Sequence, residues 1–467
     1  MNWKFCIYPA IGAAFVAGCA GPLDQRWDDP IYRSLQDQYK EVDRETSNSP
    51  DRESANSFIE IESLDALSIE EAIRIAIYHS PRLRSAGYRI DAASGRVLQA
   101  GLYPNPSFNF GAEALGSDAG SGGESIYVIE QEIVLGGKLD RARDVAESDR
   151  LAARAEFIAE EFSVATGVTR AYFSAVSAKE RLNKRQELAA LASQLLEAAA
   201  AKVDAGSATE PDRLRAEVVF EQAQIELDSA RFAAKASQME LAAVIGLEMP
   251  VDLPLTTAVD YFQELPSYED LLAATLVANS RVSLARIAIT RARQAHKLAK
   301  AQGVPDLTVS VGPRYSDIDG ESTVDLGLGI EIPLFDRNQG EVRATLAERL
   351  TASSQLRSVQ LELTAEVSNA WSVYQSALSS SSRYRSQLLP KAERTLDLTR
   401  QAYQSGKADY LRLLDAQQVV IESRIAYIDT LQQLHAAAAL LNELSQSNAP
   451  WRNPRDEDQP QAEVNQE

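Results

Sequence analysis

Cysteine is nearly absent from the chain. Its 467 residues include two, Cys6 and Cys19, both at the extreme N-terminus. The rest of the chain has no thiol, which excludes a disulfide framework and a thiolate metal site over its whole body. Histidine is scarce as well. His79, His296 and His435 are far apart and lack metal-ligand spacing, so they read as structural, and no metal site or cofactor is expected. Positive charge is in deficit: 47 Lys and Arg against 67 Asp and Glu leave a net charge of -20. Phosphates would repel such a chain, so nucleic acid is not an expected partner, and a basic patch for anionic lipid is equally missing. A merely soluble acidic surface would give the same balance. Catalytic constellations are missing too. The stretches GLG (327–329) and GSDAGSGG (116–123) are not followed by the Gly-Lys-Ser/Thr of a P-loop, so an enzyme is not expected.

What the chain does have begins at its N-terminus. Lys4 precedes a short apolar run from Phe5 to Ala17, well under the roughly 20 residues a spanning helix needs. The run ends in Val16-Ala17-Gly18-Cys19, which resembles the lipobox of bacterial lipoproteins; an ordinary signal peptide is the alternative. The resemblance implies that residues 1–18 are a signal peptide and that Cys19 is lipidated as the mature N-terminus. Several acyl chains anchor stably where a single one does not. Ala20 in place of an aspartate implies the outer membrane.

The chain also repeats itself. In "QEIVLGG" (131–137) and "IEIPLFD" (330–336), Glu132 matches Glu331, Ile133 matches Ile332 and Leu135 matches Leu334. Ala171-Tyr172 matches Ala370-Trp371 at the same offset, and "AGSATEPDRLRAE" (205–217) lies against "SGKADYLRLLDAQ" (405–417). A nearly constant offset over the whole length identifies two tandem copies of one unit of about 200 residues. Residues 64–246 form the first copy and 267–446 the second. A Pro-bearing linker, 247–266, joins them, an extended linker covers 19–62, and a polar disordered tail covers 447–467.

Within each copy the patterns predict a helix, a strand pair, a very long helix, a glycine turn and a second long helix. Helices are expected at 68–100, 138–205 and 209–245, then at 267–302, 340–404 and 409–446. The run 138–205 would span about 100 Å at ~1.5 Å per residue. Leu151, Ala155, Ile158, Phe162, Ala165, Tyr172 and Val176 form a heptad seam along it. Pro390 should break or kink the long helix of the second copy. A periplasmic coiled-coil scaffold lipoprotein is one reading of such hairpins, but it leaves four amphipathic strands unexplained.

Those strands are expected at 105–115, 125–135, 305–315 and 323–334. Val324, Leu326, Leu328, Ile330, Ile332 and Leu334 alternate with Asp325, Gly327, Gly329, Glu331 and Pro333, the period of a strand with one apolar face. Each is about as long as the ~9–11 residues that cross a bilayer. The apolar face could pack in a soluble sandwich or face lipid in a barrel. Four strands cannot close a barrel, and an open edge is not viable in hydrocarbon, so the membrane reading demands an oligomer.

The duplicated unit, the motif "QEIVLGGKLDRAR" (131–143) and the glycine turns followed by "DRLRA" (212–216) and "LLDAQ" (413–417) together resemble the TolC family of outer-membrane efflux ducts. The lipobox and "LGGK" resemble the lipoprotein branch serving heavy-metal and multidrug pumps of the resistance-nodulation-division type. The resemblance covers roughly residues 64–446. It implies an α+β membrane protein that trimerises, with four strands per chain closing a 12-strand β-barrel on a long α-helical barrel. It implies a passive duct in a tripartite pump, partnered by a periplasmic adaptor and an inner-membrane pump. A type I protein secretion duct is the alternative within the family. Gly206, Ser207 and Ala208, with Gly406, Lys407 and Ala408, become adaptor-contacting tips. Asp212 and Asp415 match gate aspartates, but Arg412 stands where the family places an acid, and in the first copy the position that matches Asp415 is Arg215. Alternating signs allow Asp212–Arg412 or Arg215–Asp415 contacts to hold the periplasmic mouth shut.

Overall fold

The structure is a computed structural model that describes residues 66–113, 123–247, 254–260, 265–316, 320–408 and 410–446. Cys19, the signal peptide, the linker 19–62 and the tail 447–467 lie outside the described residues. The first copy contains α1 (Ile69–His79), α2 (Pro81–Ala100), β1 (Ser107–Glu113), β2 (Glu124–Ile133), α3 (Lys138–Asp204) and α4 (Glu210–Ile245). The second contains α5 (Tyr268–Ala278), α6 (Ser280–Gln302), β3 (Leu307–Ser316), β4 (Glu321–Ile330), α7 (Gln339–Arg383), a π-turn (Tyr384–Leu388), α8 (Leu389–Gln404) and α9 (Tyr410–Ser445).

The first helix of each copy is two helices, not the single one expected. Ser80 is extended and caps both neighbours, with Pro81 opening α2; a residue before proline is pushed out of the helical region. Asn279 makes the equivalent break. Its side chain accepts from the Arg281 N–H and donates to the Leu444 carbonyl, both at 2.8 Å. Pro390 acts as its chemistry requires. It lacks the N–H that would continue the helix, and the turn before it widens, with the Leu389 N–H reaching back to the Tyr384 carbonyl.

The four strands form one antiparallel sheet in the order β1-β2-β3-β4. The register puts Phe108, Ile129, Val311 and Leu326 in one cross-strand row, with Ile133, Leu307 and Ile330 in another on the same face. The opposite face carries rows such as Glu130, Ser310 and Gly327, or Glu132, Thr308 and Gly329. The apolar face is bare: Leu326 is 81% exposed and Leu328 78%. A soluble sandwich would cover such side chains, and no described element does so. β3 also holds Gly312-Pro313 in its middle. A Cβ on Gly312 would lie 1.6 Å from the Tyr127 carbonyl oxygen, so only glycine fits. Ladder pairing between β2 and β3 skips this point, as an imino residue requires.

β4 ends at Ile330, four residues short of the expected 334. Its partner β3 begins at Leu307, paired with Ile330, and the ladder does not continue to residues 331–334. Pro333 adds no donor, and the chain turns with the Leu334 N–H on the Ile332 carbonyl.

The helices pack as a layer whose order matches the sheet. α3 lies at the centre, against α2 and α4 on one side and α6 and α9 on the other; α7 then packs on α6 and α9, and α8 on α9. One core cluster joins Leu363, Val367 and Tyr374 of α7 to Leu431, Leu434 and Leu441 of α9. Toward the far end the core thins to small layers, such as Ala189 and Ala192 against Ala223 and Leu227. Of the predicted seam, Ala155, Phe162, Ala165, Tyr172 and Val176 are buried, whereas Leu151 is exposed. The Tyr172 hydroxyl donates to the Leu67 carbonyl at 2.9 Å and accepts from the Thr257 N–H at 3.0 Å. It thereby ties the linker between the copies to the start of the first.

Candidate functional site

The two hairpin tips have the same backbone design. α3 ends at Asp204, and Gly206 takes φ +69°; α8 ends at Gln404, and Gly406 takes φ +72°. In the first tip the Ser207 and Ala208 N–H groups donate to the Lys202 carbonyl at 2.9 and 3.1 Å. In the second, Lys407 and Ala408 donate to the Ala402 carbonyl at 2.8 and 3.2 Å. The pattern satisfies helix-end carbonyls through one left-handed residue. A Cβ at either glycine would meet nothing within 4 Å, so the positive φ, not space, calls for glycine.

The side chains beyond the turns differ. In the first tip Asp212 closes a capping box. The Thr209 hydroxyl donates to its Oδ2 at 2.7 Å and the Thr209 N–H at 3.0 Å. These bonds, the hydroxyl's first, hold the Asp212 carboxyl below its ordinary value, with Arg215 adding a smaller pull. Arg213 pairs with Glu210 in the same turn. In the second tip Lys407, Ala408, Arg412 and Asp415 share one groove of about 460 Å³ between α8 and α9, floored by Ala392, Ala402 and Ala416. Asp212, Arg215, Arg412 and Asp415 are all exposed. The structure thus gathers the predicted residues by tip, and gives Asp212 a role in starting α4 that the sequence pattern Thr209-x-x-Asp212 could have announced.

Two arrangements were not foreseen. Asp306, just before β3, accepts from the Leu135 N–H at 2.8 Å and pairs with the Lys138 ammonium at 2.6 Å. It joins the second copy to the strand-to-helix turn of the first. On the polar face of the sheet, Arg314 donates to Glu124 Oε2 at 2.7 Å and to Asp325 Oδ2 at 2.8 Å. Neither could be found without the register that brings the two copies together. Between the helices, Arg185 of α3 pairs with Glu226 of α4 at 2.7 Å and with Glu422 of α9 at 2.6 Å. Such partly exposed pairs are individually worth about 0–1 kcal/mol, so they fix helix register more than stability.

Known proteins carry the same architecture. The family model described as outer membrane efflux protein matches residues 72–247 and 271–445, one match per copy. The cobalt-zinc-cadmium resistance protein CzcC of Cupriavidus metallidurans is 26% identical over 383 residues, covering 82% of this chain and 91% of its own. The nickel and cobalt resistance protein CnrC of the same organism is 28% identical over 294 residues, 61% of this chain and 68% of its own. Among solved structures, CusC superposes with a TM-score of 0.69 at 18% identity, covering 82% of this chain and 93% of that one. The outer membrane protein VceC of Vibrio cholerae gives 0.65 at 20%, with coverage of 81% and 95%. The duplicated sheet-and-hairpin fold and the match over both copies lead to one conclusion: this chain belongs to the outer membrane efflux protein family and is an outer-membrane efflux channel.

Proposed function

We propose that three copies close the channel and that it exports divalent metal cations as the passive duct of a tripartite pump. The observation that carries the assembly is the matched set of open edges. β1 and β4 are the unpaired edges of the sheet, and the helix layer runs in the same order, ending in α2 and α4 on the first-copy side and in α7 and α8 on the second-copy side. Joining β4 of one copy to β1 of the next therefore also brings α7 and α8 onto α2 and α4. Twelve strands from three copies exceed the roughly eight that a spanning barrel needs. The bare apolar face then meets lipid, and the acidic face lines water.

The substrate reading rests on the names of two relatives, both metal-resistance proteins, and on an acidic polar face that suits cations. The tips Gly206–Ala208 and Gly406–Ala408 lie at the end of the helices opposite the sheet. They are the surface for a periplasmic adaptor, which links the duct to an energised inner-membrane pump of the resistance-nodulation-division type. Lipidation of Cys19 adds an outer-membrane anchor. Asp212, Arg215, Arg412 and Asp415 form the gate at the same tips.

Metal tolerance tests the substrate. Expression in a strain that has lost the duct of its metal pump should restore growth in zinc, cobalt or cadmium. A chain that conducts in planar bilayers yet restores no tolerance would refute the metal reading alone. Conductance tests the gate: Arg215→Ala with Arg412→Ala should open the channel several-fold, and unchanged conductance removes the gate.

A further inference from the structure

The four strands contain six acidic residues, Glu113, Glu124, Glu130, Glu132, Glu321 and Asp325, and one basic residue, Arg314. The register places all seven on the same face of the sheet, the one opposite Phe108, Ile129, Val311 and Leu326. Six negative charges and one positive leave that face at -5 per chain. The charges are not spread evenly. Arg314 stands on β3 opposite Ile126 and Thr323, and its guanidinium reaches diagonally to a carboxylate on each neighbouring strand. It holds Glu124 at 2.7 Å and Asp325 at 2.8 Å. Such diagonal neighbours are within reach of a long side chain across a sheet. Nearer the helices the rows change character. Glu130 is followed across the sheet by Ser310 and Gly327, and Glu132 by Thr308 and Gly329. Those rows hold carboxylates beside small neutral residues, with no basic side chain in the strands to answer them.

We infer that Arg314 sets the ion selectivity of the duct, by offsetting one of the four carboxylate charges in the outer half of the sheet (Glu113, Glu124, Glu321 and Asp325) and so holding that half at -3, beside the -2 of Glu130 and Glu132 in the inner half. The inference rests on the duct reading, in which the polar face lines water. A fixed charge on the wall of a narrow water path raises the local concentration of its counter-ion. Removing Arg314 frees two carboxylates at once and takes the face from -5 to -6. Removing Glu130 and Glu132 takes it from -5 to -3. The two changes must therefore move selectivity in opposite directions, which a merely structural role for Arg314 would not produce.

The reversal potential of the reconstituted full-length chain in a potassium chloride gradient reads this directly. The wild-type channel should prefer potassium to chloride. Arg314→Gln should raise the permeability ratio about two-fold or more, Glu130→Gln with Glu132→Gln should lower it by a similar factor, and Arg314→Lys should keep the wild-type value. A conducting Arg314→Gln channel with an unchanged ratio overturns the inference and leaves the duct intact. If Arg314→Gln fails to assemble, the Glu130→Gln, Glu132→Gln channel decides: an unchanged ratio there overturns the inference equally. A wild-type chain that does not conduct at all overturns the duct reading and this assignment with it.

Discussion

His435 shows how one side chain can couple stability to pH far from the membrane. Its ring stacks on Phe173 at 3.5 Å and 4° between planes. Its Nε2 faces the Val259 carbonyl oxygen at 2.7 Å, which fixes the tautomer with the proton on Nε2. Burial pushes its pKa below the ordinary histidine value, against smaller pulls from the Val259 carbonyl and the charge of Asp260. The unfolded chain therefore takes up the proton first as pH falls through about 6.5. Stability from the neutral ring is fully present above that value and is lost progressively below it. The thermal midpoint of the detergent-solubilised protein should fall between pH 7 and 5. His435→Gln should start lower at pH 7.5 and show a flatter slope over the same interval. Parallel slopes would remove the assignment. The scarcity of histidine marks His435 as structural in the sequence, but Val259 lies 176 residues away, and no local pattern connects them.

At the scale of elements, the passage from sheet to helix depends on a turn built by both copies. Gly136 and Gly137 have φ of +71° and +69° in succession. A Cβ on Gly136 would lie 3.0 Å from Val304 Cβ and 3.2 Å from the Ala301 carbonyl oxygen. The pair in "LGGK" is thus required by the backbone, and the lysine that follows is required by Asp306. Asp306→Ala leaves the Leu135 N–H and the half-buried Lys138 ammonium without their acceptor, a loss of about 1–3 kcal/mol. Asp306→Asn keeps an acceptor for Leu135 and should lose less. Thermal unfolding in detergent orders the three proteins, and an alanine variant as stable as wild type would show that the turn holds without this contact. Element identity was legible in the sequence because the periods of 2 and 3.6 are long and regular here. Element ends were legible only in part. Pro390 marks a break that its chemistry announces; Pro81 carries the same kind of signal, yet the helix expected over 68–100 runs through it, and Asn279 breaks a helix through a bond to Leu444. β4 stops at Ile330 because its partner starts at Leu307, and a strand's own sequence does not contain its partner's first residue.

At the scale of the whole molecule, the exposed apolar surface is arranged as edges to be covered. On α4, Leu214, Val218, Ile225, Phe232 and Met239 are all exposed. From Val218 onward they recur every seven residues, the spacing of a seam that another helix should fill. α3 occupies the other side of α4, so the seam faces away from its own chain. In a closed trimer the seam meets α7 and α8 of the next copy, and every copy contributes one such interface. Phe232 lies near the middle of the seam and is 75% exposed in the single chain. Replacing it should therefore leave the protomer's own folding nearly untouched. Phe232→Glu removes a side chain worth about 1.5–3 kcal/mol of burial at each of three interfaces and sets a carboxylate in its place. Light scattering after size exclusion should find wild type as a trimer and Phe232→Glu largely as a monomer, with the same helical circular dichroism. If the variant remains trimeric with unchanged thermal stability, the α4 seam is not the interface. The sheet edges would then have to close the channel without help from this helix.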